Sequence, residues 1–196
     1  MFDRIEFGIE FFERLTAIDA AIVERAAAEK CRDCGGPLHR GDYARKPRGG
    51  LVAPWSESLV RRFSLCCGRD GCRHRATPPS VRFLGRRVYV GAVVILASVV
   101  ALAVASGRAA ARATGVPART MRRWHRWWQG PFTTSAPFVE LSARMVPSFA
   151  RGALPASILN RLGGDPIARI ATLLVWLAPL TTASAPDSTR FLRGLA

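Results

Sequence analysis

The sequence predicts a mainly α-helical protein with one small β-rich module, and three observations point to this class. Apolar residues recur every three or four positions through residues 1–30, which is the spacing of one helix face. Residues 31–80 then change abruptly to Cys, Gly, Pro and Arg with short alternating runs, a composition typical of turns and short strands. After residue 85 come a long apolar run and a basic, Trp-rich stretch, both of which we interpret as helical.

Composition limits the functions that this chain can have. Its 196 residues allow one or two small domains and exclude a large multidomain enzyme. With 49% hydrophobic residues it can bury a core, so it is not a disordered basic tail. The 29 Lys and Arg residues against 14 Asp and Glu give a net charge of +15. This excess predicts a polyanionic partner, either nucleic acid or an acidic membrane surface.

The positive charge is concentrated in the middle of the chain. Residues 1–30 hold four basic and seven acidic side chains, whereas residues 31–139 hold nineteen basic and four acidic ones. Eleven arginines and no acidic residue lie between Asp70 and Glu140. We therefore expect residues 31–139 to face the polyanion.

Residues 1–30 are predicted to form an amphipathic helix. They lack the basic start and uniformly apolar centre of a secretory signal, so we expect a protein that is not exported. The apolar stripe either docks on the protein's own core or forms the seam of a homodimer, since its spacing also suits short heptads. Its residues are Phe2, Ile5, Ile9, Phe12, Leu15, Ile18 and Ile22.

Residues 31–84 are predicted to form a zinc ribbon. Four cysteines form the pairs Cys31-x2-Cys34 and Cys67-x4-Cys72, and two close pairs on tight turns suit the tetrahedral coordination of Zn²⁺. An odd number of cysteines in a chain without a secretory signal argues against a disulfide framework. Four thiolates leave no open position for water, so we expect one structural zinc ion per chain.

The third ligand has an alternative. Cys66 precedes Cys67, and neighbours on a strand point to opposite faces, so only one of them can face the metal. We favour Cys67 because its loop to Cys72 is shorter. His39 and His74 could replace a cysteine, but we interpret both as facing solvent or nucleic acid.

The run from Val88 to Gly107 contains twenty residues without a charge. Its length meets the criterion for a membrane span. However, it is rich in Ala, Gly and Ser, and its basic flanks on both sides give no orientation. We therefore favour a buried helix in a soluble domain, with a membrane span as the alternative.

Residues 107–126 carry the features of a helix-turn-helix. A small residue, Ala111, precedes the turn glycine Gly115 by four positions, and Val116, Met121 and Trp124 are apolar anchors for the second helix. The pattern resembles the helix-turn-helix of insertion-sequence transposases and many bacterial regulators, where Gly-Val-x-x-x-Thr-x-x-x-Trp is common. Thr114 departs from that pattern, which usually has an aliphatic residue there.

The resemblance implies a recognition helix that starts near Pro117. We expect Arg119 and Arg123, with Thr120, to read base edges in the major groove, and Arg108, Arg112, Arg122 and Arg126 to contact phosphates. In the ribbon we expect further DNA contacts from Arg45, Lys46 and Arg48. Trp127 and Trp128 are expected to pack on the C-terminal helices or a second subunit, with base stacking as the alternative. The outward face of the recognition helix would carry Ala118, Arg119, Thr120, Arg122, Arg123 and Arg126.

A wider resemblance covers about residues 31–129 and concerns the zinc-ribbon plus helix-turn-helix front end of insertion-sequence transposases. The catalytic domain of those enzymes needs three carboxylates that hold two metal ions. Residues 130–196 contain only Glu140, Asp165 and Asp187, in too little chain for such a domain. We therefore expect a protein that is not an enzyme. The predicted organisation is a helix (1–30), a zinc ribbon (31–84), a helix-turn-helix (85–130) and short C-terminal helices (131–196).

These observations predict a sequence-specific protein that binds double-stranded DNA in the bacterial cytoplasm, associated with the nucleoid. The resemblance implies an accessory or regulatory role for a transposon or other mobile element, with a transposase or recombinase as a further partner. Two alternatives belong to other classes. One is a single-pass membrane protein with a cytosolic zinc ribbon, and the other is an RNA-binding zinc-ribbon protein.

Overall fold

A computed structural model describes residues 7–44, 60–84 and 89–182 of the chain, and the predicted class is confirmed: the protein is mainly helical and carries small antiparallel sheets. The strands are β1 Leu38–Arg40, β2 Tyr43–Ala44, β3 Arg61–Arg62, β4 Leu65–Cys67, β5 Arg75–Ala76, β6 Phe83–Leu84 and β7 Tyr89–Val90. The helices are α1 Ile9–Ala28, α2 Gly91–Ala103, α3 Gly107–Thr114, α4 Ala118–Gln129, α5 Ala136–Ala143, α6 Ala156–Leu159 and α7 Pro166–Leu177. Single 3₁₀ turns occupy Arg151–Ala153 and Ala178–Thr181.

Helix α1 is amphipathic, as predicted, and docks on the protein's own core. Its apolar stripe buries Phe12, Leu15 and Ile22 in the main hydrophobic cluster, while Val23 packs against Phe63 and Leu65 in a second, smaller cluster. Helix α1 therefore contributes to two cores at once. The homodimer seam stays a prediction.

The cysteine module comprises the described residues 31–44 and 60–84. Its main sheet is antiparallel in the order β1-β4-β5, with His39 opposite Cys66 and Cys66 opposite Arg75. Because side chains alternate across a strand, one face of this sheet carries Leu65 toward α1. The other face turns His39, Cys66 and Arg75 outward. A two-stranded ribbon, β2-β3, continues the module, and β6-β7 leads into α2.

Helix α2 lies at the centre of the protein. Every residue from Gly91 to Val100 is buried, which confirms that the apolar run forms a buried helix. That helix is shorter than the run from Val88 to Gly107: it ends at Ala103, and α3 then starts after Ser106, whose side chain accepts the N–H of Ala109. Within the described residues, no helix is both long enough and apolar enough to cross a bilayer.

The C-terminal helices pack on this central helix. Pro147, Pro155 and Gly163-Gly164 fall between these helices. Helix α7 buries Ile170, Leu173, Leu174 and Leu177 completely and packs against α2. A Cβ on Gly91 would lie 2.5 Å from Leu174 Cδ2, so this glycine allows the two helices to approach closely.

One hydrophobic cluster contains buried residues of α1, α2, α3, α4 and α7. The predicted helix-turn-helix segment (85–130) and the C-terminal segment (131–196) therefore share a core. The division of the chain into four domains stays a prediction.

A buried ion pair connects α1 to the last part of the cysteine module, just before β6. Asp19 is 1% exposed and accepts hydrogen bonds from Ser80 Oγ at 2.6 Å, Val81 N at 2.7 Å and Arg82 Nε at 2.8 Å. Arg82 also donates to the carbonyl of Arg61 in β3 at 3.0 Å, and its guanidinium lies over the ring of Phe63 at 4.6 Å. This network joins three parts of the chain, and the sequence analysis did not predict it.

Candidate metal centre and helix-turn-helix

The four predicted cysteines come together at one point. The Sγ atoms of Cys31, Cys34, Cys67 and Cys72 all lie within 4.8 Å of one another. The closest pairs are Cys34–Cys67 at 3.4 Å and Cys31–Cys72 at 3.8 Å, and all of these cysteines are free thiols. The cluster can hold one metal ion.

Tight turns bring each pair of sulfurs together. In the first turn, Gly35 adopts φ 68° and donates its N–H to the carbonyl of Cys31 at 2.7 Å, and Cys31 N donates to Gly36 O at 2.9 Å. A left-handed φ favours glycine. Gly36 is also needed for space, because a Cβ there would lie 3.1 Å from Cys67 Sγ. In the second turn Gly71 adopts φ 83°.

The sulfurs perturb one another's ionisation. The backbone N–H of Gly36, helped by the neighbouring thiols, lowers the pKa of Cys34 to about 7 although burial opposes this. The backbone N–H of His74 acts to lower the pKa of Cys72, but the Cys34 sulfur, burial and the other thiols together raise this pKa to about 12. Four crowded sulfurs cannot ionise together unless a cation neutralises them. The arrangement therefore suits a bound metal ion.

The structure selects among the alternative ligands. Cys66 lies outside the cluster, and its Sγ contacts the carbonyls of Cys67 and Arg73 at 3.8 and 3.7 Å. His74 Nδ1 pairs with Asp33 at 2.6 Å. His39 is exposed on the outward face of the sheet. In the described part of the chain the donor set is therefore four cysteines, with Cys67 as the third ligand.

Helices α3 and α4 form the predicted helix-turn-helix. Gly115 ends α3 with φ 66° and donates its N–H to Ala111 O at 3.0 Å, so the turn glycine has the left-handed conformation that α3 needs to end there. The anchors Val116, Met121 and Trp124 are buried, as predicted. Ala111, the small residue of the predicted motif, is only partly buried, whereas its neighbour Ala110 is completely buried.

Thr114 is the position that departs from the family pattern. It is 2% exposed, and its hydroxyl donates to Ala110 O at 2.8 Å and accepts the N–H of Val116 at 3.2 Å. The hydroxyl thus satisfies a backbone donor in the turn, which an aliphatic side chain cannot do.

We expect Thr114→Val to lower the free energy of unfolding by about 1–3 kcal/mol, because the buried N–H of Val116 loses its acceptor. Urea unfolding followed by tryptophan fluorescence measures this. Thr134→Val, at an exposed threonine, serves as the control and should change little. Equal stability of Thr114→Val and the parent protein would contradict a role for the hydroxyl.

The predicted DNA-contacting residues lie largely on the surface. Arg119, Arg122 and Arg126 are exposed, and their spacing of three and four places them on the α4 face opposite the buried Trp124 and Trp128. Arg108 and Arg112 are exposed on α3, whereas Ala118 and Thr120 are half-buried.

Arg123 differs from the other arginines of α4. Its guanidinium lies 5.4 Å from the centre of the Tyr89 ring and donates to the Tyr89 hydroxyl. The Tyr89 ring in turn meets Trp124 edge to face at 5.2 Å. Arg123 of α4 therefore has a partner, Tyr89, in β7. The sequence analysis missed this contact because β7 is distant from α4 in sequence.

The three ribbon contacts predicted at Arg45, Lys46 and Arg48 lie outside the described residues. In the part of the cysteine module that the structure describes, Arg75 extends across the outward face of the sheet, and its Nη1 lies 3.5 Å from Gly41 O. This arginine was not among the predicted DNA contacts.

Of the two tryptophans after Trp124, Trp128 belongs to the protein interior and Trp127 is partly buried. Trp128 is completely buried and donates its indole N–H to Ser98 Oγ in α2 at 3.0 Å. It packs edge to face against Phe132 at 4.8 Å, and Phe132 continues to Phe138 at 5.1 Å. These contacts agree with packing on the C-terminal segment and exclude base stacking by Trp128 in this fold.

Comparison with protein-family models, with curated proteins and with solved structures finds no match to this chain.

Proposed function

We propose that this protein binds double-stranded DNA through the helix-turn-helix formed by α3 and α4. The observation that carries the proposal is the arginine face of α4. Arg119, Arg122 and Arg126 are exposed together on a helix whose opposite face is fixed in the core by Trp124 and Trp128. A rigid helix of this kind fits the major groove, where guanidinium groups read guanine and bind phosphates.

The charges around this helix support the same partner. Arg108 and Arg112 are exposed on α3, where they can contact phosphates on either side of the groove. Between Asp70 and Glu140 the sequence has no carboxylate that would repel DNA. Base reading is assigned first to Arg119, since Arg123 is turned toward Tyr89 at the side of the helix.

We propose zinc as the metal of the four-cysteine cluster. Tetrahedral zinc with Zn–S bonds of about 2.3 Å places its sulfurs roughly 3.8 Å apart, and the closest Sγ pairs lie at 3.4 and 3.8 Å. Four soft thiolate ligands favour zinc over the harder magnesium and calcium. With no open coordination position, the ion would stabilise the cysteine module and perform no chemistry.

The accessory or regulatory role in a mobile element remains part of this proposal, and it rests on the resemblance of residues 31–129 to the transposase front end. A sequence-specific DNA-binding protein without its own catalytic domain would act by positioning or regulating a separate transposase or recombinase. Two findings would support this role together: a transposase or recombinase gene beside this one, and co-purification of its product with this protein only when the shared DNA site is present.

Two arginine substitutions separate base reading from charge attraction. Arg119→Ala should weaken binding to the selected site by about 1–3 kcal/mol and relax the preference at one base position. Arg112→Ala should weaken all sequences equally and reduce the slope of log K against log salt by about 0.9, as expected for one lost phosphate contact. Both are measured by fluorescence anisotropy on sites selected from a random duplex pool.

Arg151→Ala, at an exposed arginine outside the helix-turn-helix, is the matched control and should leave both quantities unchanged. Structured RNA is included as a competitor. Failure of the pool to yield an enriched motif would overturn sequence-specific binding, and preferential displacement by structured RNA would favour the RNA-binding alternative.

A further inference from the structure

A cleft lies beside the recognition helix, between α4 and the β6-β7 hairpin. Its volume is about 190 Å³. Aliphatic and aromatic side chains form its walls, and all of them lie in the described part of the chain. These are Leu84, Val94 and Leu180 together with the rings of Tyr89, Trp124 and Trp127.

Arg123 is the one charged residue among those that line the cleft. Its guanidinium is exposed, and it is held over the Tyr89 ring, where it donates to the hydroxyl. A guanidinium carries five N–H donors, so the bond to Tyr89 leaves donors for a second acceptor. The cleft thus combines an apolar, aromatic floor with one oriented cation, a combination typical of sites for small organic ligands.

Size limits the ligand. A cavity of about 150 Å³ lined by apolar side chains holds a benzene molecule, so about 190 Å³ accommodates one aromatic ring with a small substituent. Flat rings pack favourably against Trp and Tyr, and a carboxylate is the planar anion that an arginine binds with two parallel hydrogen bonds.

We propose that this cleft is a binding site for a small aromatic carboxylate. The ring lies against Trp124, Trp127 and Tyr89, and the carboxylate accepts hydrogen bonds from Arg123. The site is independent of the proposed DNA binding, because every group that it needs is present in the protein alone.

Benzoate is the probe, and NMR of the full-length, zinc-loaded protein is the measurement. We expect benzoate to shift the indole N–H signals of Trp124 and Trp127 in a saturable manner. The signal of Trp128 should stay in place, since its indole is buried against Ser98. Benzyl alcohol tests the ring without the charge and should bind at least about tenfold more weakly, since one lost charged hydrogen bond corresponds to about that factor. Acetate tests the charge without the ring and should also bind at least about tenfold more weakly, because it loses the apolar area that the ring buries against the aromatic walls.

Two variants locate the site. Arg123→Met should weaken benzoate about tenfold or more and leave benzyl alcohol unchanged, and Leu180→Phe should fill the cleft and abolish both. Circular dichroism confirms that each variant is folded. The proposal is overturned if benzoate causes no saturable shift at Trp124 and Trp127, if benzyl alcohol binds as tightly as benzoate, or if both folded variants bind benzoate like the parent. None of these outcomes depends on whether the protein binds DNA.

Discussion

Replacing Cys34 by Ser is expected to abolish stoichiometric zinc binding and to unfold the cysteine module. The Cys34 sulfur lies 3.4 Å from that of Cys67 and within 4.8 Å of the other two, so its loss leaves three ligands for a tetrahedral ion. In a module of this size, the binding free energy of the metal is a large part of the folding free energy. The strands of the module are only two or three residues long and cannot replace that contribution.

Metal analysis and hydrogen exchange measure this result. Protection should disappear from β1, β4 and β5 and persist in α2 and α7, because Leu65 of β4 belongs to the small cluster with Val23 and Phe63, whereas α2 and α7 belong to the main cluster.

Cys66→Ser is the matched control, since Cys66 is adjacent to the ligand Cys67 in the same strand but lies outside the cluster. It should retain one zinc ion per chain. Loss of zinc from Cys66→Ser but not from Cys67→Ser would show that the third ligand is wrongly assigned, and full zinc content in Cys34→Ser would overturn the site.

Replacing Asp19 by Ala should lower the free energy of unfolding by about 3–5 kcal/mol, the usual cost of removing one partner of a buried ion pair. The Arg82 side chain is 3% exposed, so the substitution would remove the buried carboxylate that its Nε contacts at 2.8 Å. Ser80 Oγ and Val81 N would lose their acceptor as well. Chemical unfolding followed by circular dichroism measures the change.

Glu24→Ala is the control on the exposed side of α1 and should change stability by less than about 0.5 kcal/mol. The double variant Asp19→Leu with Arg82→Met should be much more stable than Asp19→Ala, because an apolar pair can replace a buried ion pair at little cost. An Asp19→Ala protein as stable as the Glu24→Ala protein would contradict this account of the network.

The Asp19–Arg82 network has a consequence for the arrangement of the proposed DNA-binding parts. It fixes α1, β3 and the segment that enters β6 against one another. Thr181 and Thr182 bind the same region, through Ser80 N and Thr77 O at 2.9 and 2.6 Å. The cysteine module is therefore attached to the helical core through buried polar contacts in addition to its own small hydrophobic cluster.

Several features could be predicted from the sequence because their signals are local. The ligand pairs Cys31-x2-Cys34 and Cys67-x4-Cys72 each lie on one short turn, so spacing alone indicated that their sulfurs could meet. The helix-turn-helix could be predicted in the same way, since a turn glycine and apolar anchors at set intervals define it within about twenty residues. The buried positions Phe12, Leu15 and Ile22 of α1 followed from its 3.6-residue period, whereas Ile9 of the predicted stripe is 57% exposed.

The sequence by itself determined the helical class, the two cysteine turns and the outward arginines of α4, all of which depend on neighbours close in the chain. Only the tertiary structure decided the remaining questions. Strand pairing turned Cys67 inward and Cys66 outward, and it joined the start of α2 to β6 through β7. The partners of Asp19 and Arg123 lie 63 and 34 residues away. A polar side chain looks solvent-exposed in any short window of sequence, and packing between distant segments is what assigns it a partner.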